Sequence, residues 1–202
     1  MSLRDGTNQA VAAAWTGPGA FEDVLDAARA GDELAFAAVW RWLHPPLLRW
    51  LSVVAAGSAD DVASEVWLSV TRGLPSFEGG ELDFRGWLFM IARRRAIDWT
   101  RHRQRQPPVA ALEGVDAVDP AAATSALVEQ ADALDAALAL LRGLTADQRE
   151  VVALRVIVGL TVRETAAIVS KTEGAVRLLC YRGLQTLGRR LHADKLPVGA
   201  TP

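Results

Sequence analysis

Residues 161–191, TVRETAAIVSKTEGAVRLLCYRGLQTLGRRL, leave this chain few ways to fold. Thr161 followed by Glu164 is a capping-box pattern, in which each side chain satisfies the other residue's free backbone N–H and a helix starts. That helix runs to about Val169. Ser170 and Lys171 leave room only for a tight turn before Thr172, a second N-cap residue. On a wheel of about 3.6 residues per turn, Val176, Leu179, Cys180, Gly183, Leu184, Leu187 and Leu191 share one face of the second helix. Arg177, Leu178, Tyr181, Arg182, Gln185 and Arg189 fall on the other. Such a helix–turn–helix suits a DNA major groove, where arginine reads guanine or holds phosphate. A plain helical hairpin with a solvated basic face produces the same pattern, so the motif alone leaves both readings open.

The distribution of charge favours nucleic acid more than the total does. The 202 residues carry a formal net charge of −2. Within residues 93–105, RRRAIDWTRHRQR, stand six arginines against one acid, Asp98. Residues 161–195 hold seven basic residues against three acids, and residues 106–138 between them hold six acids with no Lys or Arg. Two cationic patches separated by an acidic connector are the electrostatic footprint of a two-site nucleic-acid binder.

Aromatic residues divide the chain as sharply. All seven Trp and all five Phe precede residue 100, and the later half relies on Ala, Leu and Val. Two compositions imply two cores, hence two domains. Residues 106–126 carry Pro107, Pro108, Gly114 and Pro120 without helical periodicity and read as the linker. The expected organisation is an N-terminal extension over 1–20, a helical domain over 21–105, the linker, a helix–turn–helix domain over 127–192, and a tail over 193–202.

The fold class is all-α, with no strand-like alternation. Helices are expected over 21–30, 33–43, 60–72, 84–103, 127–141, 146–158 and 162–169, besides the one beginning near Thr172. Pro45 and Pro46 should interrupt the second, which resumes through Leu47 to Val54. Gly73 and Pro75 close the third, and Gly79 and Gly80 mark a loop.

Other classes are disfavoured. A single cysteine, Cys180, rules out an intrachain disulfide, and His44, His102 and His192 are too scattered for a zinc site, so no metal or cofactor is expected. No nucleophile–base constellation indicates an enzyme. No apolar run reaches the roughly 18 residues of a membrane span, and the N-terminus lacks the layout of a signal peptide, which predicts a cytoplasmic protein without membrane insertion.

Three segments then carry a family resemblance: DELAFAAVWRWL, DDVASEVWLSV and FRGWLFMIARRRAIDWTRHRQR. Together they resemble the first conserved domain of extracytoplasmic-function (ECF) RNA polymerase sigma factors. The stretch LRGLTADQREVVALRVIVGLTVRETAAIVSKTEGAVRLLCYRGLQTLGRRL is similar to their second domain. The blocks stand in the family's order and cover about residues 21–192.

The resemblance implies that the first domain binds the clamp of core RNA polymerase and opens the −10 promoter element. The second would read the −35 element and touch the polymerase flap. An anti-sigma factor is the further partner it implies. Polymerase contact would fall on Asp61, Ser64, Glu65 and Trp67. Asp61 and Glu65 lie four apart on one helical face, with Val62, Val66 and Leu68 expected toward the core. Ser64 stands where the family commonly has Gln.

Single-stranded −10 DNA would meet Phe77, Phe84, Arg93, Arg94, Trp99 and Arg101, although Phe77, Phe84 and Trp87 also fit plain core residues. A flipped base needs an aromatic pocket with donors at its rim, and a strand needs a cationic track with stacking surfaces. Arg94 stands where the family often has Asn, and the wheel also directs Trp99 toward Leu88 and Ala92, as a core residue. The −35 duplex would meet Thr172, Glu173, Arg177, Leu178, Tyr181 and Arg182, with Leu178 suited to a thymine methyl and Glu173 to cytosine N4 or to the helix dipole. Leu179 replaces a common Arg. A helix–turn–helix regulator acting without being a polymerase subunit is the alternative, but it accounts only for the second half.

Overall fold

The computed structural model describes residues 20–105 and 139–193, and every regular element among them is helical. The expected extension, linker and tail, and most of the helix expected over 127–141, fall outside the described residues apart from their edges; residues 139–142 are helical.

Helix α1, Ala20–Arg29, buries Phe21, Leu25 and Ala28 on one stripe. Gly31, at φ +95°, breaks the chain in the left-handed region that glycine enters without a Cβ clash. Asp32 then caps α2, its carboxylate accepting from the backbone N–H of Leu34 and Ala35 at 2.8 and 3.0 Å.

Helix α2 runs unbroken over Glu33–Val54 with Pro45 and Pro46 inside it, where sequence reasoning expects a break. Two prolines remove backbone donors from the ladder, at a cost of about 3 kcal/mol for a typical interior proline. Val39 and Leu43 before them, and Leu47, Trp50 and Leu51 after them, are all buried by the same core. At roughly 1.5–3 kcal/mol for each large apolar side chain, this burial outweighs the local penalty.

Helix α3, Ala59–Gly73, packs Val62, Val66 and Val70 inward. Leu68, expected beside them, is instead 51 % exposed. It lies two positions from Val66 and Val70, about 200° round the helix from each, so the buried stripe excludes it. A 3₁₀ turn, Leu74–Ser76, leads through a loop to α4, Glu81–Arg105. Helix α4 buries Phe84, Leu88, Phe89, Ala92 and Ala96, and Trp50 of α2 meets Phe89 edge-on at 5.8 Å.

The second unit uses aliphatic residues. Thr145 and Gln148 form a reciprocal capping box that opens α5, Ala146–Val152. A straight helix to residue 158 is expected, but residues Ala153–Ile157 widen into a π segment. Its wide turn holds Leu154 and Val158 in the core while Val156 points out at 48 % exposure. Gly159, at φ +81°, ends it.

Helix α6, Val162–Val169, follows the Thr161–Glu164 capping box, and Ser170 turns the chain in the left-handed region at φ 56°. Helix α7, Glu173–Ala193, is capped by Thr172, whose Oγ1 accepts from the Ala175 N–H at 3.2 Å. At Gly183 a Cβ would stand 2.7 Å from Val152 Cγ2, so the absent side chain lets α7 approach α5 closely. Leu184 and Leu191, expected on the inner face of α7, are 46 % and 44 % exposed, because the covered stripe runs through Val176, Leu179, Cys180, Gly183 and Leu187 and leaves them at its edge. The two units touch: α2 meets α5 and the π segment, and α4 meets α6.

Candidate nucleic-acid interface

The outer face of α7 is assembled locally. Its N-terminus projects from the turn after α6, which the Lys171–Asp147 ion pair at 2.9 Å ties back to α5. Val176 is fully buried and fixes the rotation of the helix. Thr172, Glu173, Arg177, Leu178, Tyr181 and Arg182 are consequently all exposed together. Arg177 Nη2 donates to Glu173 Oε2 at 2.6 Å, and Gln185 Nε2 donates to the Tyr181 hydroxyl at 2.6 Å. Both are pairs four residues apart, which stiffen long side chains without hiding them. Leu178 and Tyr181 stay 47 % and 60 % exposed, an apolar centre between two arginines.

The cationic run of α4 is built differently. Arg94 and Arg101 are exposed. Arg93 is half-buried, with Nε donating to Glu150 Oε1 at 2.7 Å. Arg95 donates to Ser69 Oγ at 2.9 Å and Arg103 to Ser58 Oγ at 3.2 Å. Trp99 is half-buried against the core, in keeping with its wheel position.

Before α4, the loop over residues 77–80 lies above an aromatic cluster. Phe77 packs on Phe84 at 5.3 Å and on Trp87 at 4.9 Å, and the Arg29 guanidinium stands 5.3 Å from its ring centre. Phe84 is fully buried, so its ring forms the floor of this cluster and offers no free face to a base. Phe77 keeps partial exposure. The rim is set by Asp83, whose Oδ2 accepts from the Gly80 N–H at 3.2 Å. Sequence reasoning missed Arg29, which belongs to a different helix and whose local pattern reads only as a helix end.

On α3, Asp61, Ser64 and Glu65 are exposed on adjacent turns. Ser64 Oγ donates to the Asp60 carbonyl at 3.0 Å, turning the hydroxyl back onto its own helix. Trp67 is only 7 % exposed; its Nε1 donates to His44 Nδ1 at 3.1 Å. The indole thus packs inward against its neighbours and presents little of its ring at the surface of α3. Trp40, 38 % exposed and stacked on His44 with ring centres 4.2 Å apart, supplies the accessible aromatic surface beside it. Burial lowers the His44 pKa from its ordinary value, and the nearby Asp60 carboxylate raises it in partial opposition.

Among the described residues no group of three or more His, Cys, Asp and Glu side chains is arranged to hold a metal ion, and no helix is long and apolar enough to cross a membrane.

The Sigma-70 region 2 family matches residues 38–106, and Sigma-70, region 4 matches residues 134–187. The chain is 37 % identical over 172 residues to the ECF RNA polymerase sigma factor SigD of Mycobacterium tuberculosis, covering 81 % of this chain and 80 % of that one. It is 31 % identical to BldN of Streptomyces coelicolor over 85 % of this chain and 66 % of that one. Among solved structures, the sigma factor RpoE of Bartonella quintana in complex with the anti-sigma factor NepR aligns with a TM-score of 0.61 at 25 % identity, covering 79 % of this chain and 98 % of that one. CnrH in complex with the cytosolic domain of CnrY aligns with a TM-score of 0.62 at 22 % identity, over 87 % of this chain and 99 % of that one, a likeness of fold. With both conserved regions present in order on two helical units, the chain belongs to the ECF RNA polymerase sigma factors, which direct RNA polymerase to specific promoters.

Proposed function

We propose a division of this activity among three surfaces. Asp61 and Glu65 on α3, with Ser64 between them and Trp67 bracing the helix from within, dock on the basic clamp of core polymerase. Arg94, Arg101 and, once it is released, Arg93 track the displaced −10 strand. The loop above Phe77 receives an unstacked base, with Phe84 as its support and Trp99 as a packing residue beneath the track. On α7, Thr172, Glu173, Arg177, Leu178, Tyr181 and Arg182 enter the major groove of the −35 element, while the same unit meets the polymerase flap. The protein acts in the cytoplasm as an initiation factor and catalyses no reaction itself. An anti-sigma factor is its regulatory partner, by analogy with the complex of the Bartonella RpoE with NepR.

The observation that carries this reading is the joint exposure of the six α7 residues on one face, with a leucine at its centre and arginines on both sides. A single exposed leucine is ordinary on a protein surface. Leu178 together with Tyr181, however, forms an apolar centre flanked by Arg177 and Arg182. In a major groove that centre gains contact with a thymine methyl while the arginines reach bases or phosphates.

Run-off transcription reconstituted with core polymerase on genomic fragments tests the proposal. Initiation should depend on this chain, and reversing both charges, Asp61→Lys with Glu65→Lys, should abolish holoenzyme assembly in a pull-down while the helical circular-dichroism spectrum is retained. Tight sequence-specific duplex binding by the free protein at physiological salt, with no polymerase requirement, would speak for the regulator reading instead.

A further inference from the structure

We propose that Arg29, at the end of α1, reads the identity of the unstacked base, which rests on the role proposed above for the loop over Phe77. Its guanidinium stands 5.3 Å from the centre of the Phe77 ring. Nη1 donates to Asp26 Oδ1 at 2.8 Å, which holds the group in place. Nε and Nη2, which share the edge away from Nη1, are buried and have no hydrogen-bond partner. Among the described residues, Arg29 is the only side chain with two such donors. Buried donors are nearly always paired, because one left without an acceptor forfeits its hydration and gains nothing in return. An acceptor delivered to this edge therefore gains the full interaction, the desolvation having already taken place.

Helix α1 is packed so as to bring the fork to the loop. Phe21 lies 5.1 Å from Trp42 and 6.2 Å from Phe84 between ring centres. On the next residue, Glu22 Oε1 would stand 3.2 Å from a Cβ at Gly80. The loop itself has little room to retreat: Gly79 sits at φ +132°, and a Cβ there would stand 2.7 Å from Asp83 Cβ. Phe77 is the partly exposed part of this cover, and its ring offers the stacking surface an unstacked base needs. Arg29 precedes the matched region 2, residues 38–106, so α1 adds a reading element in front of it.

The fork selects by chemistry. Nε–H and Nη2–H are two parallel donors in fixed geometry, and they are answered by two adjacent acceptors. Cytosine presents N3 and O2, and guanine presents N7 and O6. Adenine and thymine alternate donors with acceptors along the same edges, so one N–H of the fork would stay unpaired. A site built to pair buried donors rejects such a base strongly. A phosphate also offers adjacent acceptors, but here it would meet the carboxylates of Glu22, Asp26, Glu78 and Asp83. A neutral base edge escapes that repulsion.

The test uses holoenzyme formed with the full chain on a promoter found by run-off transcription, varied through all four bases at each position of its −10 element. Wild type should prefer cytosine or guanine at one position, by about 5- to 150-fold in run-off rate. Arg29→Ala and Arg29→Lys should both flatten the preference at that position alone, since lysine keeps the charge and loses the fork. With the wild-type chain, 3-deazacytosine or 7-deazaguanine in place of the preferred base should cost as much, because the ring-nitrogen acceptor is gone. The same analogue should add no further loss to Arg29→Ala. No cytosine or guanine preference in wild type, an unchanged base profile in both variants, or a loss equal for all four bases would each overturn the inference. So would a deaza base that wild type uses as well as its parent. Phe77→Ala separates the two levels: if it leaves opening and base preference intact, the loop is not the base receptor and the underlying reading fails. If it impairs opening while the Arg29 variants keep the wild-type profile, only the role of Arg29 is lost.

Discussion

The arginines of α4 and those of α7 stand in similar sequence surroundings and have opposite structural fates. On α7, Arg177 finds its partner one turn away in Glu173, and the groove-facing side stays open, with Leu178 and Tyr181 uncovered. On α4 the partners come from other elements: Glu150 for Arg93, Val158 for Arg85, Ser69 for Arg95 and Ser58 for Arg103. One helix presents its cations and the other spends most of them on tertiary structure. A count of arginines per segment therefore overstates what α4 offers to DNA.

The comparison breaks most visibly on α7. Arg177→Ala or Arg182→Ala should weaken docking on duplex promoter by about 1–3 kcal/mol for a base contact, or roughly 5- to 150-fold. A template already melted across the −10 element should not rescue them, because a groove-reading helix acts on duplex. Arg94→Ala and Arg101→Ala should leave closed complexes intact, impair opening, and be rescued by that template. Permanganate footprinting on duplex and bubble templates distinguishes the cases. Equal rescue of both groups would remove the proposed split.

Within α4 itself the contrast sharpens at the next scale of effect. Arg95→Ala removes a partly buried hydrogen bond to Ser69 and should cost about 0.5–1.5 kcal/mol of stability. Arg94→Ala, at an exposed position, should fall within about 0.5 kcal/mol of wild type. Denaturant melts of the two variants measure this. Neighbouring arginines should thus fail by different routes, one through the fold and one through promoter opening.

These fates explain what was legible in the sequence. The capping boxes at Thr145 and Thr161, the breaks at Gly31 and Gly159 and the exposed face of α7 rest on interactions within four residues, which periodicity and spacing encode directly. The continuity of α2 through Pro45 and Pro46 was not legible, because propensity does not register a core that grips both halves. Nor was the exposure of Leu68 and Leu184: a wheel orders residues by angle but does not say how wide a stripe the neighbours cover. Arg29 over Phe77, and Glu150 on Arg93, join residues 48 and 57 positions apart, beyond any local pattern.

A smaller effect separates the units by stability. The Thr161 hydroxyl accepts from the Glu164 N–H at 3.2 Å, satisfying a donor at the start of α6. Thr161→Ala should cost about 1 kcal/mol, while Thr161→Ser keeps the acceptor and should cost much less. Hydrogen exchange should show faster opening in α6 and α7 and unchanged protection in α3. Equal loosening of α3 would mean that the two units unfold as one.

The smallest expected effect belongs to the first unit alone and depends on pH. His44 lies under Trp40 and accepts from Trp67 Nε1 through Nδ1, which requires that nitrogen to be unprotonated. Burial lowers its pKa below the ordinary imidazole value of 6.5, with Asp60 partly opposing the shift. The folded protein thus binds this proton less readily than the unfolded chain. Its contribution is fully present above pH 6.5 and is lost progressively as pH falls through the folded-state value. Protonation also displaces the Trp67 hydrogen bond, so the fluorescence of Trp67 and Trp40 should report the same transition. Denaturant melts between about pH 5 and 7.5 should give wild type a small fall in stability on the acid side that His44→Gln lacks. Parallel pH profiles for the two proteins would show that His44 titrates alike in both states and that the Trp67 bond adds nothing to the acid-facing helix.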